Sequence, residues 1–259
     1  MSVSADVVAS FLHTRTARPH WLAIPETHRP RTLEDGYRVQ RAVHEALEGR
    51  GDKRVGYKVG STSKPGQLAF GIDEPIYAGI FESSFAPSLA AALAAPLQSP
   101  SLECEIAFRL KAGIDGTRPA LSREDVAQAV GSCHIACEIV DNRYGDPMAV
   151  GVPSLLADDF FHASFVLGDE NPDWKKLDLA NLDAMIEIDD TPVPGNSAHV
   201  MDGLTSLLWL ARKLAQAGLA LKAGDIIMSG SLVTPTPIKL PAKSVSLAIA
   251  GFNRLALAG

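Results

Sequence analysis

The chain has 259 residues, 46% of them hydrophobic and 21% charged, enough apolar material for a substantial core and too much for a disordered polymer. A net charge of −6 supplies no overall basic field and argues against nucleic acid as the partner. No apolar run approaches the roughly 20 residues that cross a bilayer. The first residues lack the basic start and apolar stretch of a signal segment. Three cysteines, Cys104, Cys133 and Cys137, cannot make a disulfide framework. A cytoplasmic protein is expected, with Cys133 and Cys137 as small buried hydrophobes.

In chain order, a first helix is expected over Ala5 to Arg15. A second begins after Thr32, whose spacing to Asp35 is that of an N-cap and its partner, with Val39, Val43 and Leu47 on one face. Pro19, Pro25 and Pro30 forbid a continuous helix between them. Gly49 and Gly51 end the second helix, and Arg54 to Val59 reads as a strand inside Gly56-Tyr-Lys-Val-Gly60. The Ala/Pro/Leu/Ser-rich run from Phe85 to Pro100 is the expected seam. It separates residues 1–85, a helical portion with the first active-site strand, from a β-rich catalytic body over 86–259, within one continuous unit. Strands follow at Leu102 to Leu110, Ile135 to Val140, Phe160 to Leu167 and Ala184 to Ile188, with a helix from Ser122 to Gly131. A long helix over Val200 to Ala217 carries Leu204, Leu207, Leu208, Ala211 and Leu214 at helical spacing. Asp225 to Ser229 and Val245 to Ala250 complete the strands, and prolines 235, 237 and 241 confine what lies between to loops or edges. Strands that do not alternate regularly with helices point to an α+β class, not a doubly wound sheet.

The chemistry concentrates in carboxylates. In Leu102-Glu-Cys-Glu-Ile-Ala-Phe-Arg-Leu110 apolar residues alternate with Glu103 and Glu105, so a strand puts both glutamates on one face. Such a pair is either a solvated polar face or a seat for a hard cation. Glu138 stands in the otherwise apolar run Ile135-Ala-Cys-Glu-Ile-Val140, where a lone carboxylate is costly to bury. It is either a third metal ligand or the partner of Arg109 or Arg143.

Six segments in this order, Gly56-Tyr-Lys-Val-Gly60, Gly71-Ile-Asp-Glu-Pro75, Glu103-Cys-Glu105, Glu138-Ile-Val, Asp158-Asp-Phe and Ala223-Gly-Asp-Ile-Ile-Met-Ser-Gly230, resemble the fumarylacetoacetate hydrolase superfamily. The branch resembled is that of the 2-oxopent-4-enoate hydratases and 4-oxalocrotonate decarboxylases, from about Thr32 to the C-terminus. The resemblance implies a mixed β-roll or flattened β-barrel body with flanking helices. It implies Mg²⁺, or Mn²⁺, held by Glu103, Glu105 and Glu138, and Lys58 and Asp73 as catalytic groups. It further implies that Gly60, Ser61, Asp158, Ser229 and Gly230 bind the substrate. Read without it, Lys58 is a surface lysine near a turn and Asp73 a turn residue.

A 2-oxo acid chelates Mg²⁺ through its carboxylate and 2-oxygen, with Lys58 holding the carboxylate or the developing enolate and Asp73 moving a proton or orienting water. The activity implied is a hydro-lyase that adds water to a 2-hydroxy-2,4-dienoate in aromatic meta-cleavage degradation. The same site could serve a 2-oxo acid decarboxylase, and a third reading is a partner subunit of a hydratase or decarboxylase complex. A homo-oligomer is implied too. The chain departs from the family pattern at Tyr144-Gly-Asp-Pro147, where an Asp-Trp pair is usual, and at Ser229-Gly-Ser-Leu-Val-Thr-Pro-Thr-Pro237. Both are places expected to read substrate length and polarity. His20 or His28 could belong to a lid, while His162 and His199 read as packing or surface residues.

Overall fold

The structure, a computed structural model, describes residues 3–16 and 21–257. Helix α1 (Ala5–Thr16) precedes α2 (Leu33–Gly49), which starts as expected: the Thr32 hydroxyl accepts the Asp35 amide. β1 (Arg54–Gly60) leads into α3 (Lys64–Phe70), capped by Ser63 and ended by Gly71, and β2 (Ile76–Phe81) returns antiparallel to β1. A short helix, α4 (Leu89–Leu93), occupies the alanine-rich stretch ahead of β3 (Pro100–Leu110). Ser122 and Asp125 form a reciprocal capping box at the start of α5 (Arg123–Ala129). That helix stops two residues before the expected Gly131 because Val130 already pairs with Leu110, opening a long β4 (Val130–Asp141).

Two short helices follow, α6 (Pro147–Val150) and α7 (Val152–Ala157), then β5 (His162–Glu170), β6 (Asp183–Ile188) and β7 (Thr191–Asn196). Helix α8 (Gly203–Gln216) begins three residues later than its periodicity suggests, because the Asp202 carboxylate caps the amides of Leu204 and Thr205. Its buried face is Leu204, Leu207, Leu210, Ala211 and Leu214, with Leu208 only half-buried. Each fully buried leucine contributes roughly 1.5–3 kcal/mol. The remaining strands are β8 (Ile226–Ser231), β9 (Thr236–Pro237), β10 (Val245–Ile249) and β11 (Leu255–Ala256).

Seven strands form one curled mixed sheet in the order β2-β1-β8-β3-β4-β5, with β9 added beside β3. Among the strand pairs of this sheet in the described residues, only β1–β8 is parallel; it brings Lys58 level with Met228. At that seam a Cβ on Gly56 would sit 1.8 Å from the Ile226 carbonyl oxygen, so only glycine lets the two backbones approach. A second, antiparallel sheet has the order β11-β10-β6-β7. The main core lies where Ile106, Phe108, Ile135 and Cys137 of the large sheet meet Ile186 and Leu247 of the small one, with α8 at one side. Cys104, Cys133 and Cys137 are all buried free thiols there, as expected. A second core joins α1, α2 and α7 through Phe11, Val43, Leu155 and Leu156. This α+β arrangement of a rolled sheet with flanking helices is the one expected. Among the described residues no helix is long and apolar enough to cross a membrane.

Candidate active site

Antiparallel pairing of β3 with β4 sets Glu103 directly opposite Glu138, and the strand alternation carries Glu105 to the same face as Glu103. One oxygen from each of the three carboxylates lies within 4.8 Å of the others. Glu105 and Glu138 are buried and Glu103 half-buried. The Gly230 amide donates to Glu105 Oε2 at 2.7 Å, while Glu105 Oε1 is buried with no hydrogen-bond partner. An orphaned carboxylate oxygen beside two more carboxylates is a donor set for a hard divalent cation. Burial and the neighbouring Glu138 push Glu103 up to about 7, against the opposing pull of Lys58. Burial, then Glu138 and Glu103, raise Glu105 well above the usual carboxylate range.

Lys58 enters from β1 and is itself buried. Its Nζ donates to Glu138 Oε1 at 2.7 Å and to the Phe160 carbonyl at 2.9 Å. Burial disfavours the ammonium, but Glu138, Glu103 and Glu105 outweigh it and raise its pKa. Glu138 responds in the opposite sense. Burial pushes it up, yet Lys58 and His162 together draw it down to about 2. Three carboxylates thus face one ammonium, a shortfall of positive charge that a divalent cation matches. Glu138 is therefore not the partner of Arg109 or Arg143.

His162 is a site residue that the sequence reading passed over as packing. Its Nδ1 lies 2.8 Å from Glu138 Oε1 and its Nε2 lies 3.0 Å from the Ser84 hydroxyl. Because Glu138 is held as a carboxylate, Nδ1 carries the proton and Nε2 accepts from Ser84. Burial lowers the His162 pKa and keeps the ring neutral.

The chain reaches His162 through three successive left-handed residues without glycine: Asp159 (φ 55°), Phe160 (φ 49°) and Phe161 (φ 68°). Each such residue costs on the order of 1–3 kcal/mol unless its surroundings fix it. Here they do. Arg15 Nη2 of α1 lies 2.6 Å from Asp159 Oδ2, and His44 Nε2 of α2 lies 2.8 Å from Oδ1. The reversal points the Phe160 carbonyl at Lys58 and sends the Phe161 carbonyl to the Asp141 amide. It also explains why β5 starts at His162 and not at Phe160.

A cavity of about 510 Å³ opens above these groups, with Lys58 and Glu103 in its floor. Gly60 and Ser61 form part of its wall. Ser229 and Gly230 do not line it: the Ser229 hydroxyl donates to the Ile106 carbonyl and Gly230 holds Glu105. Gly230 is required there, since at φ 104° a Cβ would meet Thr62 at 2.5 Å. Asp158 is fully buried away from the cavity, where its carboxylate accepts from Arg143, Tyr144 and Thr14. Asp73 is exposed in the turn before β2, and the Lys64 ammonium reaches its carbonyl at 3.4 Å. It is absent from the cavity wall, although Ser63, Pro65 and Gly66 of the adjoining α3 segment form the rim. Of the two departures from the family pattern, residues 232–235 line the cavity whereas Tyr144 packs in the helical core. His28 bonds through Nδ1 to Ser10 of α1 at 2.7 Å and is no lid over this cavity; His20 lies outside the described residues. His199 stands exposed at the cavity mouth.

No family model matches the chain. It is 32% identical over 218 residues to the 2-hydroxyhexa-2,4-dienoate hydratase of Comamonas testosteroni, spanning 83% of this chain and 81% of the relative. The 4-oxalocrotonate decarboxylase of Pseudomonas putida G7, solved with magnesium and adipate, superposes with a TM-score of 0.83 at 25% identity over 97% of this chain and 96% of the other. A fumarylpyruvate hydrolase of Pseudomonas aeruginosa shares the fold at a TM-score of 0.57 and 15% identity, over 79% of this chain and 88% of that one. The chain belongs to the fumarylacetoacetate hydrolase superfamily, in the branch of the 2-oxopent-4-enoate hydratases and 4-oxalocrotonate decarboxylases.

Proposed function

We propose that the protein is a divalent-metal-dependent hydro-lyase that adds water to a 2-hydroxy-2,4-dienoate, giving a 4-hydroxy-2-oxo acid, in the lower part of aromatic meta-cleavage degradation. The observation that carries this is the meeting of Glu103, Glu105, Glu138 and Lys58 beneath a cavity of about 510 Å³. The likeness to a 2-hydroxyhexa-2,4-dienoate hydratase supports the reaction, and the magnesium of the decarboxylase structure supports the metal.

Glu103, Glu105 and Glu138 would hold Mg²⁺ or Mn²⁺, which would supply a Lewis acid for a 2-oxo acid. The residues do the rest. Lys58 has three donors; Glu138 and the Phe160 carbonyl take two, and the third serves a substrate oxygen. Its ammonium is fixed and dehydrated before substrate arrives, so it stabilises negative charge that grows on that oxygen without reorganising. Gly60, the last residue of β1, and Ser61, which follows it in a left-handed conformation (φ 54°), orient the acid end. Ser229 and Gly230 support the site by holding β8 and Glu105. For Asp73 the reading requires the rim segment 63–75 to bring its carboxylate over the bound acid, where it moves the proton at the far carbon. Asp73→Asn tests this part: a loss of turnover with unchanged Mg²⁺ affinity supports it, and full activity removes it.

The deciding experiment is to supply Mg²⁺ and 2-hydroxypenta-2,4-dienoate and follow loss of the dienol absorbance with formation of the 4-hydroxy-2-oxo acid. The second reading, a 2-oxo acid decarboxylase, draws on the structural likeness over 97% of the chain. Release of CO₂ from 2-oxohex-3-enedioate without hydration of the dienoate would establish it instead. Assembly as a homo-oligomer, alone or with a sister enzyme, and a cytoplasmic setting belong to the same proposal. Light scattering on the purified chain decides the first.

A further inference from the structure

The metal-binding floor explains how one end of an acid is held and leaves the other end unspecified. Beyond Lys58 and Glu103 the cavity wall is largely apolar. Phe70, Phe160 and Phe161 form an aromatic cluster with ring centroids 4.7, 5.4 and 6.3 Å apart, and Val140, Val200 and Val233 complete the upper wall. Its volume, about 510 Å³, lies in the range that encloses drug-sized ligands and far exceeds what a five-carbon acid fills.

Lys58 is the one lysine or arginine among the described residues of the lining, and two of its three donors are taken. Two of the polar side chains higher up are engaged with the protein, and the others that line the wall, Ser61, Thr62, Ser63 and Thr234, are uncharged hydroxyls. The Asn196 side-chain amide donates to Asp183 and its oxygen accepts from the Ala198 amide, and the Ser231 hydroxyl donates to the Val233 carbonyl. His199, exposed at the mouth, is the remaining basic side chain. A second carboxylate on the substrate would lose its water against this wall without gaining a buried cation.

We propose that the upper cavity selects an uncharged apolar tail, so that the substrate is a monocarboxylic 2-hydroxy-2,4-dienoate extended by an alkyl or aryl group, and dicarboxylic acids of equal length are rejected. This rests on the hydratase reading for the reacting end and adds the identity of the other end. It names Phe70, Phe161 and Val233 as specificity-determining residues.

Two matched comparisons test it on the intact protein with Mg²⁺. The first sets kcat/KM for a dienoate ending in methyl against one of the same length ending in carboxylate; at least a tenfold preference for the methyl compound is expected. The second measures binding of 2-oxohexanoate and 2-oxoadipate by calorimetry, with the same order and at least tenfold separation. Equal or better binding of the dicarboxylate overturns the proposal, and loss of that binding in His199→Ala would identify His199 as its reader. If neither dienoate is hydrated but 2-oxohexanoate still binds at least tenfold tighter, the hydratase reading fails and the tail selection stands. Hydration of both with no preference fails the selection and leaves the hydratase. As a gain of function, Thr234→Arg puts a cation at the exposed rim and shifts the ratio towards the dicarboxylate.

Discussion

The Lys58 ammonium and the Glu138 carboxylate meet at 2.7 Å in a place where neither side chain is more than 4% exposed. In this pocket Lys58 both neutralises Glu138 and competes with a metal ion for the same negative field. Lys58→Met is therefore expected to lower kcat by about 10²–10³, the usual loss for one fixed donor at developing charge. It should nevertheless bind Mg²⁺ at least as tightly as the parent in calorimetry. A folded variant with weakened Mg²⁺ binding would contradict this reading of the charge balance.

Glu105→Gln removes a buried carboxylate whose one oxygen has no partner and whose charged form is disfavoured by burial and two neighbouring glutamates. Without metal, the variant should melt at the same temperature as the parent or higher. With Mg²⁺ at about a hundred times its Kd, the parent gains about 2.7 kcal/mol, or roughly 5–10 °C in Tm, and the variant gains little. Differential scanning calorimetry with and without Mg²⁺ reads both halves.

His162 holds the outer side of the same Glu138 oxygen that receives Lys58, and Ser84 holds His162. His162→Leu is expected to weaken Mg²⁺ binding by about 10–100-fold, the usual effect of losing an outer partner of a ligand. Ser84→Ala should have a smaller effect of the same sign. If His162→Leu binds Mg²⁺ normally, the ring is only packing.

The pH dependence of stability has a marker in Asp159. Burial pushes its carboxyl up, but Arg15 and His44 prevail and hold it well below the ordinary 3.8. Its stabilising contribution is complete above 3.8 and disappears as pH falls towards the folded-state value, at up to about 1.4 kcal/mol per pH unit. Asp159→Asn should thus cost about 3 kcal/mol at pH 7, measured by urea denaturation, and the gap to the parent should narrow between pH 4 and pH 2. A constant gap would assign the loss to packing.

Much of this site could be read from the chain alone, for identifiable reasons. Alternation along β3 places Glu103 and Glu105 on one face whatever surrounds them, and Glu138 is conspicuous because its neighbours are apolar. Lys58 needed the order of the six segments, since two flanking glycines suit many turns. His162 had no local signal: it reaches Glu138 only through the β4–β5 register, which sets Glu138 against Phe165 and Val140 against His162. The turn that aims it contains Asp-Phe-Phe and no glycine, so nothing in the letters announces a left-handed reversal. The alternative of an arginine partner for Glu138 stayed open for a related reason. Arg143 turned to Asp158, a partner created by the fold of α7, leaving Glu138 to Lys58. Strand β7 escaped because Thr191-Pro-Val-Pro-Gly-Asn196 is poor strand sequence, tolerated on the edge of the smaller sheet where prolines forfeit few hydrogen bonds.

The parallel seam between β1 and β8 makes the site a late event in the life of the chain. During synthesis residues 54–141, which make the β1–β2 hairpin and the β3–β4 ribbon, leave the ribosome before residues 226–231, the strand hydrogen-bonded to both β1 and β3. Until then Lys58 and the glutamates belong to separate ribbons, each with an open edge available to other chains. Translational pausing ahead of residue 226 should therefore produce aggregates and no partly active enzyme, and a chaperone that shields strand edges should raise the yield.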